Sequence, residues 1–292
     1  MAEKFPQTGP RRAALLTGAA GGIGTELARR LSAQGYRIIG VDRRAEAVIE
    51  ALAGLPAVEA VGCDLGDAAA VAALTCRIED EWADDLELLV CNAGINLPGA
   101  AIDVPLDLVD QQLMVMLTGP IHLLATAARV FAERGRGHLL ATVSLGGIAA
   151  LPGSAAYSAA KAGLRANLCA LSNELRGSGV AVSGVYPGST DTPMLMYEAL
   201  HGAGPLNFVG KFATAGQVAD DFERALRTRH LEIYVPYQDS ILSRTVEAFP
   251  WLIPPLLPVL NHLGRKGRDR YLRQRGVTTP GAVDHEPRSN DL

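Results

Sequence analysis

The 292-residue chain has little of what marks metal-binding, disulfide-rich or nucleic-acid-binding proteins. Its four cysteines are scattered without a CxxC pair, a pattern typical of reduced thiols in a cytoplasmic protein. Its six histidines form no HExxH or similar ligand spacing, so we expect no metal site. The formal net charge is only -4, and nothing in it points to nucleic acid.

The N-terminal segment also lacks the apolar core of a secretory signal. We expect residues 1–10 to form a flexible arm. No linker-like composition interrupts the chain before residue 240, and no repeat of solenoid period is present. Residues 11–240 are therefore predicted to form one domain.

Within that domain, short apolar runs alternate with amphipathic stretches. Such alternation is typical of an α/β protein with a doubly wound parallel sheet covered by helices on both faces. The predicted strands are AALLTGA, YRIIGVD, AVEAVGCD, LELLVCNAG, HLLATVS, VAVSGVYPG and LEIYVP. Predicted helices include one opening in AGGIGTELARRLSAQG, one over 67–82, one over 106–133 and one around Tyr157.

The first strand–helix junction is the glycine-rich turn TGAAGGIG, from Thr17 to Gly24. Gly18, Gly22 and Gly24 would let the backbone approach a pyrophosphate, which the N-terminus of the following helix would bind. Gly18, Gly21 and Gly24 fit a second spacing equally well, so the turn alone does not select a subfamily.

Asp42 ends the second predicted strand. A carboxylate there accepts hydrogen bonds from the adenosine ribose hydroxyls and repels a 2′-phosphate, which favours NAD as the cofactor. Arg43 and Arg44 follow immediately and would suit a 2′-phosphate, so NADP is the alternative.

Tyr157 and Lys161 stand four residues apart in the alanine-rich helix SAAYSAAK, which places both on one face. A free tyrosine has a pKa of about 10. We expect the nearby ammonium to lower the pKa of Tyr157, so that the phenol exchanges a proton near neutral pH. Ser144, at the end of the fifth predicted strand, would hydrogen-bond the same substrate oxygen.

These motifs together resemble the short-chain dehydrogenase/reductase family, over about residues 10 to 240. The resemblance implies a Rossmann fold and an NAD(P)-dependent hydride transfer between the nicotinamide and a secondary alcohol or ketone. It implies Ser144, Tyr157 and Lys161 as catalytic residues, with Lys161 also binding the nicotinamide ribose, and a homodimer or homotetramer with the Met116 and Tyr157 helices at the interface. The implied cofactor-binding residues are Thr17, Gly18, Gly22, Ile23, Gly24, Asp42, Asp64, Asn92, Ala93, Gly94, Tyr157, Lys161, Pro187, Gly188 and Thr192.

One position departs from the family pattern. In MVMLTGPIHLL, Met116 stands where the family has an asparagine that holds a water beside the lysine. A thioether is a weak acceptor and cannot donate. Two hypotheses follow: an active enzyme with a rerouted proton path, or a dinucleotide-binding sensor or partner protein with weak catalysis.

The segment 190–214 is predicted to form a mobile lid that selects the substrate. Its apolar residues would form a wall suited to lipid, steroid, polyketide or terpenoid-like compounds, or would simply cover the core. The candidate wall residues are Met194, Leu195, Met196, Tyr197, Leu206 and Phe208. His201 is expected to be a surface residue of the lid.

Residues 241–276 form an apolar and then basic extension beyond the family pattern. Its four prolines, Pro250, Pro254, Pro255 and Pro258, are expected to break a helix, so the run is not predicted to span a membrane. We expect it to pack on the substrate cleft or on another subunit, or else to make peripheral contact with a membrane. The polar residues 277–292 are predicted to be disordered.

Overall fold

The computed structural model describes residues 12–201 and 204–277. The predicted arm, and the predicted disordered tail apart from its first residue, lie outside this range. The strands are β1 (Ala13–Thr17), β2 (Arg37–Asp42), β3 (Val58–Gly62), β4 (Leu86–Cys91), β5 (Gly137–Thr142), β6 (Val180–Pro187), β7 (Thr190–Asp191), β8 (Ala213–Thr214) and β9 (Glu232–Val235).

Seven of these strands form one parallel sheet in the order β3-β2-β1-β4-β5-β6-β9. Every residue of β1 and of β5 is buried, because helices cover both faces of the sheet and both strands are mostly apolar. The chain moves outward from β1 to β3, then returns to the other side of β1 with β4. That reversal creates the crevice where open α/β sheets bind ligands. The predicted doubly wound sheet is confirmed.

The helices on the two faces are α1 (Gly22–Ala33), α2 (Ala45–Ala51), α3 (Ala68–Asp80), α4 (Leu106–Leu113), α5 (Gly119–Arg134), α6 (Ala155–Glu174), α7 (Pro193–Leu200), α8 (Ala215–Thr228), α9 (Tyr237–Ala248) and α10 (Ile253–Arg273). Two large apolar clusters, one on each face of the sheet, make up the core. The region from 190 to 214 adds a small parallel pair, β7 with β8, around α7 and a 3-10 turn at Pro205–Phe208.

A π-helical turn at Met114–Thr118 joins α4 to α5, so the helix continues from Leu106 to Arg134 as the 106–133 prediction indicated. In the described part of the chain, this is the one helix long and apolar enough to cross a membrane. The share of its most apolar window that is buried inside the protein is 56%. Its apolar side chains pack against the sheet and α3, as those of a core helix do.

The expectation that proline would break a helix in the extension is wrong for most of the run. After a 3-10 turn at Pro250–Leu252, α10 continues for 21 residues. Pro254 and Pro255 lie in its first turn, where backbone N–H groups have no partner within the helix, so their missing N–H costs nothing. Pro258 alone lies inside the helix.

Candidate active site

The turn between β1 and α1 depends on glycine for steric reasons. Gly18 has φ +66°, and a Cβ there would lie 2.8 Å from the Cα of Ala93. A Cβ on Gly24 would lie 2.0 Å from the carbonyl oxygen of Gly18, closer than any real contact. The backbone can therefore fold this tightly against the loop after β4 only without these side chains.

The N-terminus of α1 lies close to other residues that we predicted to bind a dinucleotide. Gly21 caps the helix without a side-chain hydrogen bond, so N–H groups of the first turn remain available for an anion. A Cβ on Gly22 would lie 3.3 Å from Cγ2 of Thr192, which brings the start of the lid to this helix end. An uncapped helix end in a glycine cradle fits a pyrophosphate.

A hydrogen-bond network ties the glycine-rich turn to the loop after β4. The hydroxyl of Thr17 accepts from the backbone N–H groups of Asn92 and Ala93, at 3.0 and 3.1 Å. The Asn92 amide donates to the carbonyl of Gly18 at 3.3 Å and accepts from the Thr142 hydroxyl at 2.9 Å. Three strand ends are thereby held in register around the crevice.

The two acidic residues among the predicted cofactor-binding residues also lie at this edge. The Asp42 carboxylate accepts from the backbone N–H groups of Ala20 (3.1 Å) and Arg43 (2.8 Å), which fixes its orientation. The Asp64 carboxylate accepts from the N–H of Gly66 at 2.8 Å.

Farther along the same edge lie Pro187, Gly188 and Thr192, three more of the predicted cofactor-binding residues. Pro187 ends β6, and the N–H of Gly188 donates to the Val235 carbonyl at 2.9 Å. The Thr192 hydroxyl donates to the Thr190 carbonyl at 3.3 Å. These cofactor-binding candidates thus lie along the carboxyl edge of the parallel sheet.

Ser144, Tyr157 and Lys161 converge beyond β5. The Ser144 hydroxyl accepts from the N–H of Gly146 at 3.0 Å, and a Cβ on Gly146 would lie 3.4 Å from this hydroxyl and 3.3 Å from the Tyr157 ring. The Lys161 ammonium is 3% exposed, donates to the Thr142 carbonyl at 2.7 Å and lies 5.9 Å from the centre of the Tyr157 ring. The arrangement places a phenol, a hydroxyl and an ammonium beside the dinucleotide crevice.

The acidity of these groups differs from the expectation. Burial raises the pKa of Tyr157 to about 12, and the nearby Ser144 hydroxyl only partly opposes this. Burial also lowers the pKa of Lys161 to about 8. The predicted lowering of the Tyr157 pKa by Lys161 is therefore wrong for this structure, because desolvation of the phenolate outweighs the other influences.

Met116 is fully buried in the π-helical turn. A Cβ built on Gly94 would lie 3.8 Å from each of three atoms, the Met116 sulfur, the Lys161 ammonium nitrogen and Cε of Met194. The thioether and the ammonium therefore both lie next to Gly94, in the region where the family asparagine was expected. Cys91 is buried nearby, and burial raises the pKa of its thiol to about 12.

Glu198 in α7 is a site residue that the sequence reasoning missed. It is 7% exposed, and its two carboxylate oxygens accept from the amides of Asn96 (3.0 Å) and Asn207 (2.9 Å). Burial raises its pKa, and its negative charge helps to raise the pKa of Tyr157. The available signal was a single acidic residue in the otherwise apolar stretch PMLMYEAL.

Only part of the predicted apolar wall faces the site. Met194 reaches the point beside Lys161, whereas Leu195 and Phe208 are buried against Tyr271 of α10, and Met196 packs on the same cluster. Tyr197 is exposed and stacks on His201, which is a surface residue as predicted. Leu206 is half-buried in the 3-10 turn. Leu195, Met196 and Phe208 thus serve packing.

No group of three potential metal ligands occurs within residues 12–201 and 204–277.

A family model described as short chain dehydrogenase matches residues 12–201. The chain belongs to the short-chain dehydrogenase family. It is therefore an oxidoreductase, with the NAD(P) dependence of that family.

Named relatives agree with this assignment. The chain is 37% identical to a 1-deoxy-11-beta-hydroxypentalenate dehydrogenase of Streptomyces exfoliatus, covering 71% of this chain and 78% of the relative. It is 33% identical to an uncharacterized oxidoreductase of Myxococcus xanthus, covering 82% and 93%. The fold matches a Sphingobium yanoikuyae short-chain dehydrogenase in complex with NADPH, with TM-score 0.73, 22% identity and coverage of 94% and 99%.

Proposed function

We propose that this short-chain dehydrogenase interconverts a secondary alcohol and a ketone, with Tyr157 as the proton carrier. The observation that carries the proposal is the convergence of Ser144, Tyr157 and Lys161 beside the glycine-rich crevice. When bound, the nicotinamide dinucleotide supplies or accepts the hydride. The protein must then move one proton and stabilise charge on one oxygen.

Each of the three residues has a part in that task. The Ser144 hydroxyl lies near the phenol and orients the substrate oxygen. Because the Tyr157 pKa is about 12, the phenol is protonated at neutral pH and suited to donate to a forming alkoxide. Alcohol oxidation needs the phenolate, so its rate should rise with pH. Lys161 remains mostly charged below pH 8, where its ammonium would stabilise the negative charge that develops on the Tyr157 oxygen as the proton passes to the substrate.

For the cofactor we favour NAD over NADP. The Asp42 carboxylate is fixed by two backbone N–H groups at the end of β2, where it would accept from ribose hydroxyls and repel a 2′-phosphate. Arg43 and Arg44 are exposed and pair with no other described side chain, which leaves them free to bind that phosphate instead. The NADPH in the Sphingobium yanoikuyae structure keeps this second option open.

Titration with both nucleotides, following the quenching of protein fluorescence, decides between them. We expect tighter binding of NAD, and we expect Asp42→Ala to weaken NAD while leaving NADP unchanged or improved. Tighter NADP binding by the unaltered protein, abolished in Arg43→Ala or Arg44→Ala, would reverse the assignment.

For the substrate we favour an apolar compound of the lipid, steroid, polyketide or terpenoid kind. Met194 is the apolar lid residue that reaches the point beside Lys161, and a flexible thioether adapts to irregular shapes. The Streptomyces exfoliatus relative is named for a hydroxylated substrate, which supports an alcohol or ketone.

A second function, nucleotide sensing with weak catalysis, is favoured by one observation. Met116 is buried beside Lys161 and cannot donate a hydrogen bond to a relay water. A sensor would bind the dinucleotide normally yet convert nothing.

Both functions are tested by incubating the protein with a panel of ketones and secondary alcohols, with each cofactor, and following reduced-nicotinamide absorbance. The enzyme is supported if turnover occurs and Tyr157→Phe abolishes it without weakening nucleotide binding. Ser154→Ala, outside the proposed machinery, is the control. Normal binding without turnover on any compound supports the sensor.

A further inference from the structure

The exposed apolar surface of the protein is concentrated in the C-terminal extension. Nine of the fifteen exposed large apolar side chains in the described residues lie between Tyr237 and Leu263. They are Tyr237, Ile241, Leu242, Phe249, Trp251, Leu252, Leu256, Val259 and Leu263, and we call this set the α9–α10 surface. Such a concentration of exposed apolar side chains is typical of an interaction site.

Helix geometry arranges the α10 part of this surface in a stripe. Leu252, Leu256, Val259 and Leu263 are spaced by four, three and four residues, so they share one face of the helix. The same spacing continues through Lys266, Arg270 and Arg273, which are all exposed and form no ion pair with a described residue. One face of α10 is therefore apolar along its first half and cationic along its second.

The opposite face of α10 is fixed to the lid. Gly264 and Gly267 let the helix approach the backbone of the 3-10 turn so closely that a Cβ on either would lie 2.0 Å from the Pro205 or Phe208 carbonyl oxygen. The buried Tyr271 donates to the Asp191 carboxylate at 3.0 Å. Since this packing holds the helix, the apolar–cationic face points away from the protein.

We propose that the α9–α10 surface docks on an anionic lipid bilayer. Apolar residues enter the acyl boundary while Lys266, Arg270 and Arg273 meet anionic headgroups, the arrangement of an interfacial amphipathic helix. The exposed indole of Trp251 and ring of Tyr237 suit the interface because each has an apolar body and a polar tip.

A second copy of the chain fits this face less well. In a twofold dimer the same patch meets itself. Parallel α10 helices would set the three cations against each other, and antiparallel helices would set them against the partner's apolar stripe. Both arrangements are unfavourable, whereas an anionic bilayer complements both halves of the face at once.

The test is binding of the full-length protein to phosphatidylcholine vesicles with and without phosphatidylglycerol, measured by co-sedimentation and tryptophan fluorescence. The chain has two tryptophans; Trp82 is 3% exposed and Trp251 is 66% exposed. We expect binding to anionic vesicles with a blue shift of emission that disappears in Trp251→Phe. Salt should weaken the binding.

Substitutions separate the two halves of the face. Changing Lys266, Arg270 and Arg273 together to Gln should weaken binding to anionic vesicles about 100-fold, at about fivefold per charge. Leu256→Ser with Val259→Ser should weaken it at least about tenfold through lost apolar burial. The matched control is Ile102→Ser with Leu106→Ser, which removes exposed apolar side chains elsewhere and should change nothing.

Two results would overturn the proposal. One is absence of binding to anionic vesicles, or binding that survives both sets of substitutions. The other is a dimer, seen by light scattering without lipid, that Leu256→Ser with Val259→Ser dissociates; a second copy would then be the occupant. Neither outcome depends on enzymatic activity, so the proposal stands or falls separately from the proposed function.

Discussion

Replacing Lys161 with methionine should stabilise the protein while abolishing catalysis. The ammonium is 3% exposed and has one hydrogen bond, to the Thr142 carbonyl. Burying a charge with so little compensation is unfavourable, and a protein keeps such a residue for function rather than for folding. Methionine has a similar length and no charge, so it fills the same space without that cost.

The magnitude follows from the pKa of Lys161, which burial lowers from 10.5 to about 8. At about 1.4 kcal/mol for each pKa unit, the charged form is disfavoured in the folded state by about 3 kcal/mol. Methionine leaves the Thr142 carbonyl without its donor, which costs about 1 kcal/mol. We therefore expect Lys161→Met to raise the free energy of unfolding by about 2 kcal/mol at pH 7.

The sign of the pH dependence is also fixed. Between pH 8 and 10.5 the unfolded chain holds the lysine proton while the folded chain releases it, so the wild type gains stability with rising pH. The advantage of Lys161→Met should shrink by about 1 kcal/mol from pH 7 to pH 9. Cys91, with a folded-state pKa of about 12, stays neutral in the folded protein over this range.

The assay is urea unfolding of wild type and variant at pH 7 and pH 9, compared as differences so that titrations common to both cancel. Lys266→Met, at an exposed position, is the matched control and should show no pH-dependent difference. A Lys161→Met variant that is less stable than wild type, with a deficit unchanged by pH, would show that the buried ammonium does not destabilise the fold.

Three further predictions concern the site and the core. Met116→Asn should raise turnover at unchanged nucleotide affinity, because it restores a donor beside the lysine; a variant that folds as well as wild type but turns over no faster would contradict the relay argument. Glu198→Gln should move the pH profile of alcohol oxidation to lower pH, since the negative charge that it removes helps to raise the pKa of Tyr157. Glu223→Gln, on the distant α8, is the control. An unmoved profile would show that the charge of Glu198 does not affect the pKa of Tyr157. His138 is buried with a pKa of about 4, so the free energy of unfolding should fall by up to about 3 kcal/mol as pH falls from about 6.5 towards 4. In urea unfolding, His138→Gln should flatten the dependence of this free energy on pH over that range. An unchanged dependence would assign the loss to other groups.

The His138 tautomer supports the last of these predictions. The Ser183 hydroxyl donates to the His230 carbonyl at 2.7 Å, so it must accept at 2.9 Å from the His138 ring nitrogen Nε2. The neutral ring with hydrogen on Nε2 satisfies this arrangement, and a second proton would add an uncompensated buried charge.

The sheet and the placement of the motifs could be predicted because they depend on local patterns. Apolar runs ending at Thr17, Asp42 and Cys91 became strands, and parallel strands bring their carboxyl ends to one edge. The turn at Gly18 and Gly24 could be predicted from the sequence because only glycine fits at these positions. Helix α8 was not predicted, although Thr214 and Gln217 form a capping box that marks its start.

What could not be predicted depends on tertiary surroundings. The Tyr157 pKa is set by burial and by Glu198, which comes from a lid whose path no local pattern fixes. Leu195 and Phe208 pack in an apolar cluster with Tyr271, which is far along the chain, so no local pattern indicated that they would not line the cleft. The prediction that prolines would break a helix here was wrong because Pro254 and Pro255 lie in the first turn of α10, where a helix tolerates proline.

The central claim is that this chain transfers hydride between a nicotinamide and a carbonyl carbon with Tyr157 as the proton carrier. Its most direct test uses reduced nicotinamide cofactor deuterated at the transferring carbon, together with a ketone panel and mass spectrometry of the products. We expect an alcohol carrying the deuterium on its carbinol carbon with the wild type, and none with Tyr157→Phe although that variant binds the cofactor equally well. Cofactor bound normally by the wild type with no deuterated alcohol from any ketone, or equal product from the Tyr157→Phe variant, would contradict it.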